Sequence, residues 1–264
     1  MTVVVAVRCP DGVVLATDSQ ATSQMIGGIP MKISAKKIAR LGKHVVYGGT
    51  GGQGAGQRVH TALQGQAAKM NAAKPQAETA AVIRAAVNPI QQQVRNEWVQ
   101  IPNSQPEMWG GIFCGWSKEG PWIFEIDLNG ASQFHEPFAA TGSGHAVAHA
   151  ALMNVAHFDV AHQSLEGAKA IAYRAIESTC AASAWGVGMP VQLAIVTNDG
   201  VQELVDGEET HTELQDLVDL WKAKEVETLG GLAPHAADGP VADAAVATAP
   251  DADEPTLEES EIKS

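Results

Sequence analysis

Thr2 stands directly behind Met1, and an initiator methionine followed by so small a side chain is normally trimmed. Trimming would leave one residue carrying both a free α-amine and a hydroxyl, a nucleophile and a candidate base on the same backbone position. The amine's reference pKa of ~7.7–8.0 leaves an appreciable fraction neutral near pH 7 and able to accept a proton. Geometry within a single residue is poor for direct transfer, so a water is expected to carry the proton from hydroxyl to amine. A threonine that merely opens a strand is also ordinary, and the rest of the chain has to support the chemical reading.

Other residue groups carry less. His145 and His149 lie at i, i+4, with His135, His157 and His162 nearby in sequence, but the spacing lacks the zincin glutamate and no acidic or thiolate third ligand is evident. No metal site is expected. Cys9, Cys114 and Cys180 are odd in number and far apart, without CxxC spacing, and read as reduced, buried small hydrophobes. The glycine-dense run Gly48–Gly56 lacks the GxxxxGK[ST] arrangement, so close backbone packing, or backbone N–H groups facing a site, is expected rather than nucleotide binding. No cofactor is implied.

The elements that must position Thr2 begin with its own β-branched run, Thr2 to Arg8, which turns at Asp11-Gly12 into Val13 to Asp18. A polar, glycine-bearing loop through Gly27-Gly28-Ile29-Pro30 leads to a second hairpin, Lys36–Leu41 with His44–Tyr47. Apolar spacings of three and four predict helices over Val59–Ala73 and Glu78–Trp98. Strands follow at Trp109–Trp116, Trp122–Asp127 and Ala131–Ala140, then a helix that starts near Ser143 and runs to Phe158, and another from Leu165 to about Ser183. A hairpin, Met189–Thr197 with Val201–Val205 about Asn198-Asp199-Gly200, precedes a last amphipathic helix from Thr210 to Val226. Paired strands interleaved with paired helices predict an α+β body with sheets inside and helices outside.

The chain has 264 residues, 45% of them hydrophobic, enough for a substantial core. The net charge of −13 argues against nucleic acid and against an electrostatic grip on anionic membranes. Nine acids against one lysine from Val226 onward place −8 of it in the last 39 residues. That stretch has no aromatic residue and is expected to be a disordered acidic tail, 226–264, behind one folded domain, 1–225. With no secretory leader and no apolar run of the ~20 residues a bilayer needs, a cytoplasmic protein is expected.

Five segments in register, from Thr2 to about Val205, resemble proteasome β subunits and the bacterial HslV peptidase. They are Thr2-Val3-Val4-Val5; Asp11-Gly12 with Asp18-Ser19-Gln20-Ala21-Thr22; Lys36-Lys37-Ile38 with Tyr47-Gly48; Thr141-Gly142-Ser143-Gly144; and Leu193–Gly200. The resemblance implies a four-layer αββα sandwich, the N-terminal-nucleophile hydrolase fold, with two antiparallel sheets between helix layers. It also implies a threonine-type endopeptidase acting on peptide or unfolded protein, a homo-oligomeric ring, and a separate ATP-dependent unfoldase, since the chain has no nucleotide-binding loop of its own.

Carried over residue by residue, the resemblance implies that Lys37 lowers the pKa of the amine, that Asp18 holds Lys37 charged and oriented, and that Gly48 offers its N–H to the oxyanion. Ser143 would hydrogen-bond near the amine, while Thr22, Val46 and Thr50 would bind substrate, the last two favouring a medium-sized, uncharged side chain. Two features depart from the family. Many β subunits carry an acid in a late Arg-Asp-x-x-Ser-Gly segment, and Ala181–Gly186 has none, leaving Ser183 as a stand-in. The loop from Asp18 to Lys37 is a few residues longer, which leaves Lys36 as an alternative to Lys37. A catalytically silent ring subunit and a small-molecule amidase are the competing readings.

Overall fold

A computed structural model describes residues 2–24, 30–99, 108–155, 164–182, 186–204 and 209–232. The chain runs β1 (Val3–Cys9), β2 (Gly12–Thr17), β3 (Gln20–Gln24), β4 (Pro30–Ser34), β5 (Ile38–Arg40) and β6 (Val45–Gly51), then α1 (Gln53–Gln64) and α2 (Gln76–Val99). Next come β7 (Trp109–Ser117), β8 (Gly120–Ile126), β9 (Ser132–His135), β10 (Phe138–Gly142), α3 (His145–Asn154) and α4 (Leu165–Ala182). β11 (Gln192–Thr197), β12 (Gly200–Leu204) and α5 (Glu209–Leu232) follow. Two compact units are distinguished, Met1–Ala223 and Lys224–Ser264.

Two five-stranded antiparallel sheets, ordered β10-β1-β2-β11-β12 and β5-β6-β7-β8-β9, form the centre of the first unit. Both faces of each sheet are covered, so the inner strands read as nearly continuous apolar runs, and residue parity decides which core a side chain enters. Val4, Ala6 and Leu15 of the first sheet meet Ile112, Cys114 and Ile123 of the second between the sheets. Val3, Val5 and Val7 point the other way, into a core with Ile171 and Ile176 of α4 and with Leu214 and Val218 of α5. Tyr47, Phe113 and Phe124 face Val59 of α1 and Ile83 and Val87 of α2. The result is the expected αββα sandwich. No described helix is long and apolar enough to cross a membrane.

The structure departs from the sequence reading in four places. The segment read as a polar loop after Asp18 contains a ribbon, β3 with β4, which among the described residues pair only with each other; its polar composition conceals the pattern from which a half-buried strand is read. The single strand read over Ala131–Ala140 is two, β9 in one sheet and β10 in the other, and Pro137, which has no N–H for a ladder, lies between them. α1, read as Val59–Ala73, spans Gln53–Gln64, so it begins earlier than the glycines suggest and stops before Gly65, with only a short 3-10 turn at Ala67–Lys69 beyond it. α5 continues to Leu232, so the beginning of the segment read as a disordered tail from Val226 is helical.

Candidate active site

Thr2 is held by its backbone. Its N–H, a peptide nitrogen while Met1 is attached, donates to Ser143 Oγ at 3.0 Å. Its carbonyl accepts from the Ser143 hydroxyl at 3.2 Å and from the Gly144 N–H at 3.3 Å. The glycines on either side of Ser143 make this approach possible. A Cβ on Gly142, whose φ is +96°, would stand 2.3 Å from the Thr2 carbonyl oxygen, and one on Gly144 would stand 2.7 Å from Thr179 Cγ2. The Thr-Gly-Ser-Gly segment thus forms a clamp joining the end of β10 to the start of β1.

Behind Thr2 lies the Asp18 carboxylate, fully buried at the end of β2. Oδ1 accepts from the Val3 N–H at 3.0 Å and from Lys37 Nζ at 2.7 Å; Oδ2 accepts from the N–H groups of Gln20 and Gly188 at 3.1 and 3.2 Å. Four donors give a buried anion the compensation it requires. Burial pushes the Lys37 ammonium below its usual range, and the charge and hydrogen bond of Asp18 oppose that shift. The backbone before Lys37 is tied down as well. Lys37 N–H donates to Gln192 Oε1 at 2.9 Å, Gln192 Nε2 donates to the Ala35 carbonyl at 2.6 Å, and Ala35 N–H donates to the Ser19 carbonyl at 2.8 Å. Lys36 instead pairs with Glu203 at 2.6 Å, with two-thirds of its side chain exposed. Of the two lysines, Lys37 is the one joined to Asp18.

A cavity of about 710 Å³ opens beside Thr2, bordered by Lys37, Thr50, Tyr47, His60 and Trp109. Trp109 accounts for two of the glycines in the neighbouring run, Gly49 and Gly56, and crowds Gly111 on the paired strand. A Cβ on Gly49 would stand 2.6 Å from its Nε1, on Gly56 3.1 Å from its Cδ1 and on Gly111 2.9 Å from its Cη2. Gly48 is confined differently, because a Cβ there would stand 2.8 Å from Val4 Cγ1 and 3.1 Å from Thr17 Cγ2. β5 pairs with β6 only as far as Gly48, so Gly49–Gly51 present a strand edge at the cavity that β5 leaves unpaired.

Thr2, Asp18, Lys37 and Ser143 are therefore connected by hydrogen bonds, and Thr50 lines the cavity. Val46 does not line it: strand parity turns its side chain fully into the core between the sheets, which corrects its expected place in a substrate pocket. Thr22 lies in β3 opposite Lys32. Met1 and Ser183 lie outside the described residues. His145 Nδ1 is 2.8 Å from the Gly142 carbonyl oxygen and His149 meets the Phe138 ring edge-on; no metal-ligand cluster occurs among the described residues. Sequence reasoning missed Gln20, Gly188 and Gln192, of which Gln192, a polar residue at the start of an apolar strand, alone carried a signal. It also missed the Tyr47–His60 hydrogen bond, Oη to Nδ1 at 2.9 Å.

The double antiparallel sandwich, with a threonine at the start of its first strand, defines an N-terminal-nucleophile hydrolase fold. Residues 2–191 match the model of the proteasome subunit family, and the chain belongs to that family. Among curated relatives, the proteasome subunit beta of Archaeoglobus profundus is 30% identical over 204 residues, covering 77% of this chain and 87% of the relative. That of Methanocaldococcus vulcanius is 27% identical over 211 residues, 79% of this chain and 87% of the relative. A chain of the Anbu complex from Pseudomonas aeruginosa, solved as a helical assembly, has the same fold at a TM-score of 0.67 and 19% identity, with 90% of this chain and all of the other covered.

Proposed function

We propose that this chain is a threonine peptidase of the proteasome type, with Thr2 as the nucleophile once Met1 has been removed. The observation that carries the reading is the junction of Thr2 and Val3. The first N–H is held by Ser143, and the second by the same Asp18 oxygen that Lys37 grips at 2.7 Å. Removing Met1 converts the Thr2 peptide nitrogen into an amine already beside an acceptor.

In the proposed reaction the Thr2 hydroxyl attacks the substrate carbonyl while its proton passes through a water to the α-amine. The nearby Lys37 charge keeps that amine's pKa low and favours the alkoxide. The Gly48 N–H would stabilise the tetrahedral oxyanion. Collapse breaks the peptide C–N bond, the amine's proton goes to the leaving nitrogen, and an ester to Thr2 remains. Water then hydrolyses the ester and regenerates the hydroxyl. An extended peptide added along Gly49–Gly51 would gain main-chain hydrogen bonds and lie beside Thr2. As the family resemblance implies, the chain would work in a homo-oligomeric ring on peptides or unfolded proteins, with unfolding energy supplied by a separate ATP-driven partner.

Intact mass of the purified chain should show Met1 absent, and Thr2→Ala should lower hydrolysis of a fluorogenic peptide by roughly a thousandfold or more without changing assembly. Retention of Met1 on every chain would sink the mechanism. The missing acid in Ala181–Gly186 favours a second reading, a silent ring subunit. Assembled, Met1-free protein that hydrolyses neither a peptide nor a small amide would decide for it.

A further inference from the structure

We propose that the cavity wall built from Tyr47 and His60 selects substrates whose side chain beside the cleaved bond ends in a hydrogen-bond acceptor, a carboxylate or a carboxamide, and rejects basic side chains. The proposal rests on the peptidase reading and adds the substrate class.

Charge supplies the first argument. Among the described residues lining the cavity there is no aspartate or glutamate, whereas Lys36, Lys37 and His60 all border it. Both lysines have carboxylate partners, Glu203 and Asp18, so the wall holds no strong excess of positive charge. It also offers no anion to a substrate lysine or arginine, which would surrender hydration on entry and gain nothing in exchange.

The second argument concerns where protons sit. The Tyr47 hydroxyl lies 2.9 Å from His60 Nδ1, and burial pushes its pKa above the usual range, so it keeps its proton; the contact accommodates either imidazole tautomer, and the one proposed is that in which the hydroxyl donates to Nδ1. The neutral imidazole must then carry its own proton on Nε2. A protonated ring carries one there too. In either state the second nitrogen of His60, an exposed residue on α1 at the cavity wall, is a donor and calls for an acceptor.

The third argument is rigidity. Tyr47 stacks on Phe113 at a centroid distance of 5.3 Å and meets the Trp109 ring edge-on at 5.9 Å, and its side chain is almost entirely buried. It therefore acts as a fixed support that sets the tautomer of His60, which a mobile surface histidine would lack. Val46, expected to line the substrate pocket and favour an uncharged side chain, is buried elsewhere.

The test uses four fluorogenic peptides, identical except for Leu, Gln, Glu or Lys before the cleaved bond, with the full-length, Met1-free protein. The Gln and Glu peptides should exceed the Leu peptide in kcat/KM by about tenfold, the worth of one good hydrogen bond, and the Lys peptide should fall below it. His60→Ala should bring the Gln-to-Leu ratio towards one. Tyr47→Phe, which frees the tautomer and leaves the ring packing in place, should lower the ratio part of the way. A gain for Glu without one for Gln would mean charge attraction and overturn the donor account, as would an unchanged ratio in His60→Ala or a preferred Lys peptide. Fluorescence-anisotropy binding of the same peptides to Thr2→Ala reads the cavity without chemistry. The predicted ranking there, with no hydrolysis by the native chain, would uphold the cavity and reject the peptidase; no ranking in either assay would overturn the inference.

Discussion

Lys36 and Lys37 are neighbours of the same residue type, each with a carboxylate within 2.7 Å, yet they belong to different physical worlds. Lys36 reaches Glu203 with side chains 67% and 31% exposed, whereas Lys37 and Asp18 are 8% and 0% exposed. The first pair exchanges water for a partner that water could replace, and it is screened by salt. The second is largely shielded from water, so each charge depends on the other and on the N–H groups of Val3, Gln20 and Gly188 that saturate the carboxylate. Distance alone is a poor guide to an ion pair's role; burial and the remaining partners decide it.

Removing one member of the buried pair should give the largest effect. Lys37→Ala leaves the Asp18 charge buried without its counterion, a change expected to cost about 3–5 kcal/mol of stability and to lower peptide hydrolysis by roughly a thousandfold. Denaturant unfolding and initial rates check the two separately. If Lys37→Ala were as stable and as active as the parent, the pair would be neither structural nor catalytic.

The next difference is in pH. Burial lowers the Lys37 pKa from its ordinary value of 10.5, so on alkalinisation the folded chain releases this proton before the unfolded chain does. Between the two values the unfolded state binds more protons, and this site's contribution to stability rises with pH. Activity that needs the ammonium should fall across the same window. The alkaline limb of kcat/KM is therefore expected below 10.5 while the unfolding midpoint gains from this site. A limb at or above 10.5 would remove Lys37 from the reaction.

Lys36→Ala should do far less, changing stability by no more than about 0.5 kcal/mol, with any loss shrinking as salt is added. A loss comparable to that of Lys37→Ala would reverse the assignment of the two lysines.

The contrast also marks what could be read from the chain. The residue pattern placed Thr2, Asp18 and Ser143 at the ends or starts of strands and a helix, and the resemblance to the family, with its segments in register, implied that they meet. The choice between Lys36 and Lys37 was not legible, since both follow an irregular stretch of uncertain length. The ribbon β3–β4 inside that stretch, together with the Gln192 clasp on Ala35 and Lys37, sets which lysine turns inward. Gly188 supports Asp18 through its backbone N–H, a contribution that no side-chain type announces. Gly48–Gly56 was ambiguous for a different reason. Space for Trp109, more than fifty residues away in sequence, can be recognised only once β6 and β7 are paired. Val46 was misplaced because parity around Gly48 tells which face a residue shares, not how far along that face the sheets remain closed.

The smallest expected effect tests the environment around the buried pair without disturbing it. Cys180, in the last turn of α4, is electrostatically coupled to Asp18 and Lys37. Burial above all, with the Asp18 charge adding to it, pushes its thiol up to about 12, against the opposing charge of Lys37. Since the thiolate is the reactive form, alkylation by iodoacetamide at pH 8 should be slow compared with a free cysteine, and peptidase activity should survive brief exposure. In Lys37→Ala the cation that opposes the shift is gone and the Asp18 charge remains, so labelling of Cys180 should become slower still, unless the cavity left by the lysine admits water. Mass-spectrometric labelling rates in the two proteins separate these outcomes. Faster labelling in the variant would mean that hydration, rather than the charge of Lys37, governs this side of the site.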